Sequence, residues 1–288
     1  MSPWPNDAAA VVPARPQRQA YSGAEIGRWR WWGRGLLRGF GSLQLLFVQA
    51  DHVWHWGANL DEARHMGRER RTTGRPRRHD SVAAWCEAHP GSHARLVLSS
   101  RMTHQVLVQD PAMPLFEPID VERYARHQFV HYHGSAALNW PLAVWLEGTQ
   151  RGASALHGLD LPALKRDAER FDVRLHRIEP AWALALRFAR RQAPSLADGA
   201  RTALALVEGA HLCWLVCERG ALVVLRQRML ASTNPVALEA LIDELRDEDG
   251  EVSSVYVLGH GIDAEAVRGA SLLGMLHADH PAPNWLAA

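Results

Sequence analysis

The sequence predicts an α/β fold of two related lobes, each a β-sheet backed by helices, and two observations point to it. The first is residues 201–228, RTALALVEGAHLCWLVCERGALVVLRQR, which reads as three successive strands at Thr202–Val207, His211–Cys217 and Ala221–Gln227. Glu208-Gly209-Ala210 and Glu218-Arg219-Gly220 between them supply the left-handed positions that tight hairpins need. A helix at Asn234–Arg246 and a strand at Ser254–Leu258 follow, and that strand ends in Gly259-His260-Gly261. The second observation is an earlier segment with the same order: paired strands within 43–56, a helix at 81–88 and a strand at 95–99. A repeat of this kind is the plan of a two-lobed protein with a cleft between its lobes. The corresponding division is an arm at 1–40, a first lobe at 41–192 and a second lobe at 199–288 that closes on a C-terminal helix.

In chain order, residues 2–19 are rich in Pro, Ala and Arg and predict disorder. Residues 21–40 interleave Trp29, Trp31 and Trp32 with Arg28, Arg30, Arg34 and Arg38. Three readings stand open for this arm: tryptophans packed on the domain, an interfacial segment on anionic lipid, or a stacking platform for RNA. LQLLFVQ from Leu43 and HVWHWG from His52 have strand character. Seven arginines between 59 and 78 read as a solvated loop or edge strand, with a phosphate or headgroup patch as the other reading.

Asp80 and Ser81 cap a helix that stops at His89-Pro90-Gly91, and strands follow at Arg95–Ser99 and Thr103–Val108. Asp120 caps Val121–His133, whose Val121, Tyr124, Ala125, Phe129 and Tyr132 share a face and whose Glu122 and Arg126 are spaced as an ion pair. Leu142–Leu146 is a strand candidate. Leu161–Asp172 is a helix with Pro162 in its first turn, Val173–Ile178 a strand, Trp182–Arg191 an apolar helix with a basic last turn, and Gly269–His277 a final helix.

Composition limits the function. The 288 residues are 47% hydrophobic and 22% charged with a formal charge of +1, which argues against a globally basic nucleic-acid binder. Lys165 is the only lysine, so positive charge is almost wholly arginine. The three cysteines form no disulfide framework, and Cys213 and Cys217 lie about 13 Å apart on one strand face, too far to pair. They read as core. Neither a signal peptide nor an apolar membrane span is evident, and the expected location is cytoplasmic.

Four stretches resemble the actin-like ATPase fold (ribonuclease H-like), and within it the PilM/GspL/MshI group of type IV pilus and type II secretion assembly proteins. Leu206-Val-Glu-Gly-Ala-His-Leu is similar to that family's phosphate turn after the first strand of its second lobe. Gly220-Ala-Leu-Val-Val-Leu-Arg-Gln-Arg resembles the third strand of that lobe, and Val257-Leu-Gly-His-Gly the strand and turn that cup adenosine. Leu161–Pro180 resembles the stretch entering the interlobe helix.

The resemblance implies a nucleotide cleft at Glu208, Gly209, Gly259 and Gly261, but the site departs from what Mg·ATP requires. The first-lobe turn, Leu46-Phe-Val-Gln-Ala-Asp-His, has no glycine, and Gln49 or Asp51 stands where an Asp-x-Gly should be. The chain is therefore expected to be a degenerate member with little or no ATPase activity. It would scaffold a pilus or secretion platform by binding PilN-, GspE- or GspM-type subunits at the inner-membrane face. The alternatives are an ATP-binding ATPase of the PilM type, with Asp51 serving the first lobe, and a membrane- or nucleic-acid-binding module using Trp29, Trp31, Trp32, Arg28 and Arg30.

No other chemistry stands out. His127, His131 and His133 form the densest histidine group without a Glu or Cys at ligand spacing, and His52 and His55 fall on opposite strand faces. Gly-x-Ser-x-Gly is absent. Glu117 and Glu122 lack an apolar pocket that would raise their pKa, and Asp120 serves a helix cap. No metal site and no catalytic residue is expected.

Overall fold

The computed structural model describes residues 43–56, 76–108, 117–147, 150–262 and 267–276. Two five-stranded sheets share one strand order. In the first, β1 (Leu43–Val48) pairs antiparallel with β2 (Val53–Trp56), and β2 with β3 (Arg77–His79). On its other side β1 runs parallel to β4 (His93–Leu98), and β4 to β8 (Arg174–Pro180). The second sheet repeats this with β9 (Thr202–Glu208) at the centre. There β10 (His211–Glu218) and β11 (Ala221–Met229) form the antiparallel side, and β12 (Ser254–His260) and β13 (Ser271–Leu276) the parallel side.

Alternation along the strands decides which face each residue serves. Leu45 and Phe47 of β1, Leu204 and Leu206 of β9, and Cys213 and Leu215 of β10 enter one common core between the sheets. Helix α4 (Ala181–Gln192) fills that core, with Ala181, Trp182, Leu184, Ala185, Leu186, Phe188 and Ala189 all buried. A helix apolar on nearly every side requires a partner on each, which the two sheets supply. Burial of Trp182, Leu184, Leu186 and Phe188 contributes about 1.5–3 kcal/mol per side chain.

The intervening residues, Leu46, Val48, Leu96 and Leu98, face outward onto α1 (Val82–Ala88) and α3 (Leu161–Arg170). The one-turn α5 (Ser195–Asp198) follows α4, and on the second sheet Ala203, Ala205, Trp214 and Val257 face α6 (Pro235–Asp249). Asn234 caps α6 by accepting from Ala237 N, and Ser81 caps α1 by accepting from Ala84 N. At the far end of α6 the buried Asp249 carboxylate accepts from Trp214 Nε1 at 2.8 Å and pairs with Arg226 at 2.9 Å, which compensates its burial.

A three-stranded antiparallel sheet is inserted between β4 and α3. In it β7 (Gln150–Leu156) lies between β5 (Thr103–Val108) and β6 (Leu142–Glu147), and α2 (Pro118–His133) packs on its face through Ala125 and Phe129. The sequence reading missed β7, because QRGASAL has little β propensity. Trp145 of β6 lies over Gly152 of β7: a Cβ there would stand 2.2 Å from Trp145 Cζ2. The same indole meets Trp182 of α4 edge-on at 5.3 Å, fixing the inserted sheet to the central helix.

Two further expectations are corrected, and for a third one of its readings holds. The segment read as a final helix at Gly269–His277 is strand β13, because pairing with β12 through Tyr256↔Ser271 and Val257↔Leu272 overrides the helix propensity of Leu and Met. Arg77 and Arg78, at the end of the arginine-rich stretch, belong to edge strand β3; residues 57–75 lie outside the described residues. Tyr132, read on one face of α2 with Val121, Ala125 and Phe129, is 72% exposed while those three are buried. Cys213 and Cys217 are buried in the core and form no disulfide, as read.

Candidate functional site

The parallel strands of both sheets aim their carboxyl ends at the same region, where α/β proteins place their ligands. Four turns meet there: 49–52 after β1, 99–102 after β4, 209–210 after β9, and the turn that follows His260 of β12. Each is held to its own sheet. Gln49 N donates to His52 O at 2.9 Å, Ser99 N to Val48 O at 2.9 Å, and Gly209 N to His260 O at 3.0 Å.

Side chains then cross from one sheet to the other. Glu208, at the end of β9, accepts from Ser100 N at 2.6 Å and from Ser99 Oγ at 3.1 Å through one oxygen, Oε2. Gln49 Nε2 lies 2.9 Å from His260 Nε2, and the His260 ring meets Phe47 edge-on at 5.6 Å. Gln227 of β11 donates from Nε2 to Ser100 O at 2.7 Å and to Thr103 O at 2.8 Å. The 99–103 turn is thus gripped by two residues of the second sheet.

Burial sets the charge state of this seam. Glu208 is 2% exposed. Burial pushes its carboxyl up to about 7, against the opposing pull of the Ser100 and Ser99 hydrogen bonds and of Arg101. Its Oε1 and the Ser100 Oγ have no hydrogen-bond partner among the described residues. Burial, with His52 and Arg101 nearby, pushes His260 down to about 4, so at neutral pH its Nε2 accepts from the Gln49 amide and the ring proton sits on Nδ1. Asp51, offered above as the first-lobe carboxylate, has a side chain 64% exposed and pairs with His52 at 3.0 Å.

A second charged node lies where β8 enters α4. Glu179 is buried between Arg95 Nε at 2.5 Å and Arg187 at 2.7 Å, with Arg177 at 3.7 Å. A carboxylate surrounded in this way holds β4, β8 and the first turns of α4 together.

No family model and no curated protein matches the chain. Solved structures do. A Bacteroides thetaiotaomicron protein with an actin-like ATPase fold and unknown function matches with a TM-score of 0.51 at 10% identity, covering 83% of this chain and 91% of that one. The chain has the actin-like fold. A PilM-PilN type IV pilus biogenesis complex matches with a TM-score of 0.50 at 12% identity over 82% of this chain and 88% of that one. The cytoplasmic domain of EpsL, an inner membrane component of the type II secretion system of Vibrio cholerae, matches with a TM-score of 0.49 at 12% identity over 85% and 92%.

In this actin-like frame Glu208, Gly209, Gly259 and Gly261 do come together, at the interlobe seam. The sequence reading missed Ser99, Ser100 and Gln227, the partners that give Glu208 and the 99–103 turn their contacts; the only local signal was a serine pair directly after an apolar strand. His127, His131 and His133 are exposed on α2. Trp29, Trp31, Trp32, Arg28 and Arg30 lie outside the described residues.

Coupling across the seam is measurable. Gln49→Ala and His260→Ala are expected to be non-additive in a double-mutant cycle, with an interaction of about 1 kcal/mol by urea unfolding. Additive losses would mean that the contact does not persist in solution.

Proposed function

We propose that this chain is a nucleotide-independent scaffold of a type IV pilus or type II secretion assembly platform, binding segments of partner subunits of the PilN, GspE or GspM type. The observation that carries this reading is the seam itself. A magnesium-bound triphosphate needs ionised carboxylates and free backbone N–H groups on both walls of the cleft. Here the seam's Glu208, its carboxyl pushed up to about 7 by burial, already accepts from the opposite wall. The facing turn offers Gln49, which is turned onto His260. The donor set suits lobe-to-lobe contact and fits Mg·ATP poorly.

The machine is suggested by the fold shared with PilM in its complex with PilN and by the residue resemblance described above. Association with the inner-membrane face follows from the same resemblance; among the described residues no helix is long and apolar enough to cross a membrane.

Titration with Mg·ATP separates this reading from its enzymatic alternative. No saturation is expected through the low-millimolar range. A micromolar affinity lost in Glu208→Ala would establish an ATPase-type site instead. Affinity capture from the native host is expected to recover pilus or secretion platform subunits, and a capture without them would remove the scaffold assignment.

A further inference from the structure

Three histidines far apart in sequence converge at the outer edge of the first sheet. His55 comes from β2, His79 from β3, and His89 is the C-cap of α1. One nitrogen from each lies within 4.8 Å of the other two. The remaining nitrogens of two rings are already committed. His55 Nε2 donates to Gln44 Oε1 at 2.9 Å, and His89 Nδ1 donates to Trp85 O at 2.9 Å.

Those acceptors fix the tautomers. A carbonyl oxygen accepts only from a protonated ring nitrogen, so the neutral rings carry their lone pairs on His55 Nδ1 and His89 Nε2. His55 Nδ1 and His79 Nε2 are buried and have no partner among the described residues. A buried polar atom left in this state forfeits its hydration without compensation, which calls for an occupant. Trp85 stacks on His89 at 5.0 Å with planes 14° apart and holds that ring in place.

We propose that His55, His79 and His89 bind a divalent transition-metal ion of the zinc class through three imidazole nitrogens, leaving a fourth position for water or an exogenous ligand. The second shell is the kind that orients metal-bound histidines: each of two rings donates its other N–H to a carbonyl oxygen. Tetrahedral coordination at about 2.0–2.1 Å brings ligand nitrogens to about 3.4 Å from one another. Modest χ rotations cover the difference from the present spacing.

An all-imidazole donor set suits zinc, copper or nickel and not magnesium or calcium. The ion would tie the three-residue edge strand β3 and the end of α1 to β2.

The test uses full-length untagged protein, stripped with EDTA and dialysed. Titration with Zn²⁺ in a calorimeter is expected to give one equivalent per chain and to raise Tm by several degrees, and Co²⁺ is expected to give the visible absorption of a tetrahedral site. His79→Gln, on an edge strand, should retain the circular dichroism of the apo protein and lose at least tenfold in affinity together with the Tm shift. His131→Gln, in the exposed group on α2, should bind as wild type does. If His79→Gln fails to fold, His89→Gln serves in its place with the same expectation. The proposal fails if the wild-type protein shows no stoichiometric binding. It also fails if the ligand variant binds as tightly as wild type, or if His131→Gln abolishes binding.

Discussion

Glu208→Gln is expected to be more stable than wild type by up to about 3 kcal/mol above pH 7 and nearly equal to it below pH 4.5. The reason is linkage at one buried carboxyl. Burial raises its pKa from 4.5 to about 7 in the folded state. Between those values the native chain holds a proton that the unfolded chain has released, so raising the pH favours unfolding. The stabilisation is complete below 4.5 and lost as pH rises through about 7. Glutamine keeps the neutral shape, accepts from Ser99 Oγ and Ser100 N, and cannot ionise.

The wild-type profile alone would not reveal this. His55, His104 and His260 are each pushed down to about 4 from 6.5, first by burial, and so contribute stability that is lost as pH falls through that interval. The two effects have opposite signs and overlap in pH. Subtracting the wild-type curve from that of the variant, by urea unfolding at each pH, cancels the histidines and leaves Glu208. Parallel curves across pH 4.5–8 would mean that the carboxyl is not buried in solution.

What the sequence revealed follows the range of the forces involved. β9, β10 and β11 were read nearly to the residue, because alternation and hairpin chemistry are local: Arg219 and Gly220 both take positive φ, at 50° and 78°. Helix α4 was legible from the apolar run that opens it and its basic last turn, and α6 from Asn234 and Pro235 at its start. Edge strand β3 was hard to place because Arg-Arg-His has no apolar period and is a strand only by pairing with β2. Strand β13 was lost to helix propensity for the same reason, since its pairing with β12 is a tertiary fact.

The site divides in the same way. Glu208 and Gly259 sit in turns that a sequence displays, whereas Ser99 and Gln227 matter through contacts more than a hundred residues away. His55, His79 and His89 carry no common spacing, and only the closing of β3 onto β2 brings them together.

Gly259→Ala is expected to cost on the order of 4 kcal/mol, whereas Gly209→Ala should cost about 1 kcal/mol. Both glycines have positive φ, at 141° and 62°, and both belong to turns that resemble a nucleotide cradle. Their surroundings differ. A Cβ on Gly259 would stand 1.8 Å from Val207 O and 2.7 Å from Val207 N, while one on Gly209 meets nothing within 4 Å. Val207 belongs to β9, the central strand, which is paired on both sides and cannot retreat.

A loss of that size is a large part of the stability of an ordinary domain and should appear as a lower urea midpoint with an unchanged slope. It should also displace the adjacent His260 and so abolish its coupling to Gln49. Equal, small losses in the two alanine variants would show that β12 does not approach β9 this closely. The contrast bears on function, because a glycine kept for a ligand leaves open space where its side chain would be. At Gly259 that space is filled by the protein's own backbone, so the fold alone accounts for the glycine whether or not a nucleotide ever binds.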